Sequence, residues 1–154
     1  MRREATQKNW RTKTHSHSSA IVEGMKYLGV DYGTKKVGLA FSDDDGSLAF
    51  PHSVVPNDNA LFDTIRELIQ TNGVDVLVIG HSLAMDGREN PVMEQAHAFK
   101  EVFERSGLHV YLEPEFLTTF QAKRNTEDAM ADAAAAALIL QSFLDKQENK
   151  NISS

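Results

Sequence analysis

The sequence predicts an α/β protein, a single mixed sheet of five strands with helices on both faces, and three observations carry that expectation. Three β-type runs follow one another between residues 26 and 55, as in a meander. Two later apolar runs, "VDVLVIG" and "LHVYLE", alternate with segments of helical period. The chain then closes on "DAMADAAAAALILQSFLDKQ", where alanine and leucine favour helix throughout. The order is therefore βββ-α-β-α-β-α, and meander strands followed by strand–helix alternation require a mixed sheet. At 154 residues this is one domain's worth of chain, with no internal repeat and no linker dividing it.

The elements follow in order. Residues 1–24, "MRREATQKNWRTKTHSHSSAIVEG", have no period and too little apolar surface to order themselves, so they read as a flexible tail or an extension ahead of a start at Met25. The "HSH" within them reads as solvated tail rather than a metal site. "KYLGVDYG" and "VGLAFSD" form a hairpin around Gly33, Thr34, Lys35 and Lys36, and "DDDG" turns the chain into the third strand, "SLAFPHSVV". "NALFDTIRELIQTNG" places Leu61, Ile65, Leu68 and Ile69 on one helical face, with Asn59 as N-cap and Gly73 as stop. "VDVLVIG" is the continuous run of a strand covered on both sides. A helix over 91–106 carries Met93, Ala96, Phe99 and Phe103 inward, and "LHVYLE" is the fifth strand. The last helix begins near Thr118, the folded domain spans 25–147, and 148–154 form a disordered C-terminus.

Charge is uneven along the chain. Residues 1–24 carry five basic and two acidic side chains, whereas the remainder carries 11 basic and 20 acidic ones. An acidic core argues against broad electrostatic binding of nucleic acid, but carboxylates gathered to hold cations also make a domain negative. Cysteine is absent, which excludes disulfides and thiolate metal sites and suits a reducing compartment. No apolar run approaches the ~18 residues of a membrane span, and the chain reads as cytoplasmic.

Three acids stand out by position. Asp31 ends the first strand, amid residues that otherwise belong in a core, where a carboxylate must be paired or bound to a cation. The turn-forming alternative, through Gly33, is also open. Glu115, near Glu113, lies just past an apolar strand, where open α/β sheets gather their sites. Asp128 and Asp132 share a helix face, and the alanines after Asp132 allow close approach to the sheet. For Asp128 a first-turn acid favoured by the helix dipole is the simpler reading. Carboxylates converging from these places cannot all stay ionised in a partly dry site without a cation. Oxygen-only ligands favour a hard ion, Mg²⁺ or Mn²⁺.

At these residues the chain resembles the YqgF/RuvX family, over residues 26–145. "LGVDYGTKKVGLAFSD" is similar to the family's D-x-G-x-x-R-x-G-x-A strand pair, and "VIGHSLAMDGRENP" to its G-L-P-x-x-x-D-G loop. "PEFLTTFQA" is similar to D-E-R-L-T-T-x-x-A, and "DAAAAALILQSFL" to D-x-x-A-A-x-x-I-L-Q-x-Y-L. Lys36 stands where the pattern has arginine, Ser82 where it has proline, and Pro114 and Phe116 where it has an acid and an arginine. The resemblance implies a ribonuclease-H-like fold and a metal-dependent nuclease with Asp31, Glu115 and Asp132 as catalytic and metal-holding residues, Asp128 assisting. It implies processing of the 5′ end of precursor 16S rRNA, with Holliday junction resolution on branched DNA as the alternative. A nucleic-acid partner is expected, and the protein itself as monomer or homodimer.

The remaining marked residues have plain alternatives. Asp86 and Gly87 read as a turn or as a loop beside the site. Thr118 and Thr119 cap a helix or hold phosphate, and Lys36, Lys123 and Arg124 touch the nucleic-acid backbone or simply face solvent. His81 reads as a hydrogen-bonded loop residue rather than a general base. "DYGTKK" also resembles the phosphate loop of the actin and sugar-kinase ATPases, but those enzymes clamp nucleotide between two such domains. A non-enzymatic reading is an inactive nucleic-acid-binding relative, and a metal titration separates it from the nuclease.

Overall fold

The computed structural model describes residues 24–84, 86–116 and 130–153. In these the order is β1 (Tyr27–Tyr32), β2 (Lys36–Ser42), β3 (Ala49–Pro56), α1 (Leu61–Asn72), β4 (Val76–Leu83), α2 (Met93–Arg105), β5 (His109–Phe116) and α3 (Ala131–Ser153). The five strands form one sheet in the order β3-β2-β1-β4-β5. β1 pairs antiparallel with β2, and β2 with β3, whereas β1–β4 and β4–β5 are parallel. The mixed sheet is thus as expected, and it places β1 at the centre.

The alternation of side chains divides the molecule into two cores. Leu28, Val30, Val37, Leu39, Leu77, Ile79 and Val110 face α1 and α2, where they meet Ile65, Ile69, Phe99 and Phe103. Tyr27, Val76 and Val78 face the other way, against Ile139, Leu140 and Phe143 of α3. Each such fully buried aliphatic side chain contributes roughly 1.5–3 kcal/mol of transfer free energy. β3 is an edge strand, which accommodates Pro51 and Pro56 and a register shift opposite Leu39/Ala40.

α3 lies unusually close to the sheet. A Cβ added at Gly29 would sit 2.8 Å from the Leu140 Cβ and 2.9 Å from the Ala136 carbonyl oxygen. Glycine on the strand and alanine on the helix together make that approach possible. Glu113, buried on the same side of β5, accepts hydrogen bonds from Ser142 Oγ at 2.8 Å and Lys146 Nζ at 2.6 Å. The ion pair ties the middle of α3 to the sheet edge.

One local expectation changes. The residue before α1 is Ala60 rather than Asn59, and it makes no side-chain cap; Asp58 Oδ1 accepts from the Ala60 N–H at 3.0 Å and supplies the turn instead. Gly73 does end α1, in the left-handed conformation at φ 66° that a side chain resists. At the C-terminus α3 runs to Ser153, with Lys150 in the last turn where a cation suits the helix dipole. The described part of the last helix starts at Ala131, and the expected start near Thr118 lies outside the described residues.

Candidate active site

The site is built from lateral neighbours across three strands. Asp31 pairs with Gly38 on β2, and on its other side the parallel ladder with β4 ends at Val30–Ile79, one residue short of Asp31 and Gly80. Directly paired residues point to one face, and Tyr27, two pairs earlier in the same alternation, packs on α3. Asp31 therefore faces α3 between two glycines.

Each glycine admits one other acid. A Cβ on Gly38 would overlap the backbone carbonyl of Asp132, so the first turn of α3 rests directly on the β2 backbone beside Asp31. A Cβ on Gly80 would stand 2.9 Å from Glu115 Oε2, so the Glu115 carboxylate reaches back over β4 toward β1. Glu115 shares its face with Glu113, two residues earlier on β5, which bonds to α3. Asp31, Glu115 and Asp132 thus come from a central strand, an edge strand and a helix start to one end of one face. Glycines at 38 and 80 clear the space between them.

Lys36 belongs to the same face. Its Nζ is 3.1 Å from Asp132 Oδ2, with the lysine half exposed, and the turn before it is fastened by Asn57 Nδ2 donating to the Gly33 carbonyl at 2.8 Å. An ammonium placed on this carboxylate offsets the charge that crowding of acids would otherwise make costly. Three carboxylates offer oxygen donors only, the chemistry of a hard divalent cation with water ligands, although among the described residues their oxygens do not all lie within 4.8 Å of one another.

Asp86 and Gly87 form a turn: Gly87 has φ 89° and its N–H donates to the Ala84 carbonyl at 2.8 Å. Asp86 accepts from Arg88 Nε at 2.7 Å, so its carboxylate serves the loop itself. That loop follows β4 at the same sheet end as the acids, one strand from Glu115, which pairs with Ser82. Asp128, Thr118, Thr119, Lys123 and Arg124 lie outside the described residues.

Sequence reasoning passed over two features. Gly38 and Gly80 were legible only as β-strand glycines, a signal for close approach by another group. The second is a cluster of His81, Glu89 and His97, in which both imidazole Nε2 atoms meet one oxygen of Glu89, at 2.6 and 2.9 Å. Hydrogen bonds from His97 and His81 hold the Glu89 carboxyl below the usual carboxylate range.

The family model that matches this chain is RuvX, described as Holliday junction resolvase, and it covers residues 25–146. The chain belongs to this family. A relative from Anaplasma marginale named "Putative pre-16S rRNA nuclease" is 34% identical over 149 residues, covering 89% of this chain and 95% of the relative. A relative of the same name from Nitratidesulfovibrio vulgaris is 36% identical over 138 residues, covering 82% of this chain and 97% of the relative. Among solved structures, RuvC of Thermus thermophilus superposes with a TM-score of 0.52 at 14% identity, covering 80% of this chain and 97% of that one. The fowlpox virus Holliday junction resolvase gives 0.51 at 15% identity, over 79% and 99%. The family is thus one of nucleases that act on phosphodiester bonds, and the sheet with its helices has the ribonuclease-H-like fold of these resolvases.

Proposed function

We propose that this chain hydrolyses phosphodiester bonds in structured nucleic acid at the carboxylate cluster, with the 5′ end of precursor 16S rRNA as substrate. One observation carries the reading: Asp31 lies between Gly38 and Gly80, and those two glycines admit Asp132 and Glu115 from elsewhere in the chain. Gly38, on β2, lets the α3 backbone at Asp132 descend onto the sheet, and Gly80, on β4, leaves room for Ile139 and the Glu115 carboxylate. The name shared by relatives at 34–36% identity supports rRNA as the substrate. Branched DNA is the second reading, favoured by the family's own description.

In this mechanism Asp31, Glu115 and Asp132 would hold Mg²⁺ or Mn²⁺, with Asp128 as an additional ligand. When bound, such ions supply an activated water and stabilise the leaving oxygen of the phosphodiester. The protein's own contribution is positioning. The strand ends fix Asp31 and Glu115, the helix start fixes Asp132, and Lys36 neutralises Asp132 and offers its ammonium to a backbone phosphate once the acid is otherwise engaged. Thr118, Thr119, Lys123 and Arg124 contact the sugar–phosphate backbone, and the loop with Asp86 and Gly87 borders the substrate. Contacts of this kind recognise shape rather than base sequence.

Incubating the protein with end-labelled precursor rRNA and with a four-way DNA junction, each with and without Mn²⁺, tests the reading. Ion-dependent cleavage of the RNA is expected, and cleavage of the junction alone selects the second reading. Binding without cleavage of either substrate identifies an inactive relative and overturns the nuclease assignment.

A further inference from the structure

Across the sheet from the acids sits a second group of metal-ligating side chains. His81 follows Gly80 on β4, and because successive side chains alternate it faces α2 rather than α3. His97 stands on α2, a turn into the helix, and the two rings meet edge to face with centroids 6.1 Å apart. Glu89 lies between them: one oxygen, Oε2, is 2.6 Å from His81 Nε2 and 2.9 Å from His97 Nε2. The three ligand atoms all fall within 4.8 Å of one another.

The backbone holds this arrangement in place. Glu89 is bridged antiparallel to Leu83, the Asn90 N–H donates to the Ser82 carbonyl at 3.0 Å, and the Ala84 N–H donates to the Arg88 carbonyl at 2.7 Å. The loop after β4 is therefore a small hairpin that returns Glu89 opposite Leu83, two residues beyond His81 along the same face of β4. The ligands come from a strand end, a laddered loop and a helix, and none depends on a long unsupported excursion. All three side chains keep partial exposure, which leaves an entry path and a position for water.

We propose that His81, Glu89 and His97 form a binding site for a borderline divalent transition ion, Zn²⁺ foremost, that fastens the β4–α2 loop to α2. Two imidazole nitrogens and one carboxylate oxygen are a recurrent zinc donor set, completed by water in the fourth position. Nitrogen donors also separate this site from the all-oxygen cluster, which suits Mg²⁺ or Mn²⁺. Ligand atoms around a tetrahedral ion at ~2.0–2.1 Å are a little over 3 Å apart, so modest side-chain rotation away from the present hydrogen bonds opens the position. The site is a positioning device for the loop that borders the carboxylates, and its existence does not depend on the nuclease reading.

The test uses the full chain with His15→Ala and His17→Ala, which removes the imidazole pair of the N-terminal segment, after chelator treatment. Titration with Zn²⁺ against a chromophoric competitor is expected to give one tight equivalent. His97→Ala and His81→Ala should each weaken it by about 100-fold or more, beyond what outer-shell changes produce. Cobalt substitution should give the strong visible bands of a tetrahedral site, lost in His97→Ala. His97 is on a helix surface, so its alanine variant folds and circular dichroism verifies that. Repeating the titration in Asp31→Asn keeps the outcome independent of the catalytic proposal: the equivalent should remain. No tight equivalent, or one unchanged by both histidine substitutions, overturns the site.

Discussion

Among single residues, Gly38 and Gly80 are spaces that other groups fill. Gly38→Ala would drive a methyl group into the Asp132 backbone carbonyl, which can yield only if the start of α3 moves. A loss of roughly 1–3 kcal/mol or more is expected, read as a lower denaturation midpoint in urea. Gly80→Ala meets only side-chain ends, Ile139 Cδ1 at 2.7 Å and Glu115 Oε2 at 2.9 Å. Those can swing away, so stability should change less, while cleavage falls by an order of magnitude or more because Glu115 is displaced. Equal effects of the two substitutions on stability and cleavage would contradict the distinct roles given to these glycines.

At the scale of elements, α3 is the part whose placement matters most, since it brings Asp132 to the strand ends. Its anchor is the Glu113 carboxylate, buried and held by Lys146 and Ser142. Lys146→Ala strands that buried charge and should cost about 2–4 kcal/mol, lowering the thermal midpoint by several degrees. Replacing both partners together, Glu113→Leu with Lys146→Met, should recover part of the loss, because no uncompensated charge remains. The β2–β3 turn makes a smaller, pH-dependent contribution. Burial, the largest single influence, raises the Asp43 carboxyl, but hydrogen bonds from the backbone N–H groups of Ser47 and Leu48, from the Ser47 hydroxyl and from Gly46 together outweigh it and hold the carboxyl below its ordinary value. A depressed carboxyl stabilises the fold above its unfolded pKa and stops doing so as pH falls through its folded one. The stability difference between the protein and Asp43→Ala should therefore be full at pH 5 and shrink below pH 3.8, as urea midpoints across that range will report.

At the scale of the whole molecule, the order of elements and the mixed sheet were legible because period and composition speak directly to burial. Asp31 among apolar residues, Glu115 after a strand and Asp132 before an alanine run each announced a carboxylate near the sheet. Their shared face was not legible, since it depends on the register of Gly38 and Gly80 against Asp31 and on how closely α3 descends. The histidine–glutamate cluster was equally hidden: His81 and His97 are sixteen residues apart in sequence and meet because α2 packs on the sheet, while the loop hairpin returns Glu89 between them. Asn59 looked like a cap, yet the turn that Asp58 makes one residue earlier takes over that work. The most direct test of the central claim is Mn²⁺ binding by the full chain, followed by electron paramagnetic resonance of the free ion. Binding should weaken by roughly 100-fold in Asp31→Asn and again in Asp132→Asn, and stay unchanged in His81→Ala/His97→Ala. If Asp31→Asn binds Mn²⁺ as the unaltered protein does, the carboxylates do not share an ion and the hydrolytic account is wrong.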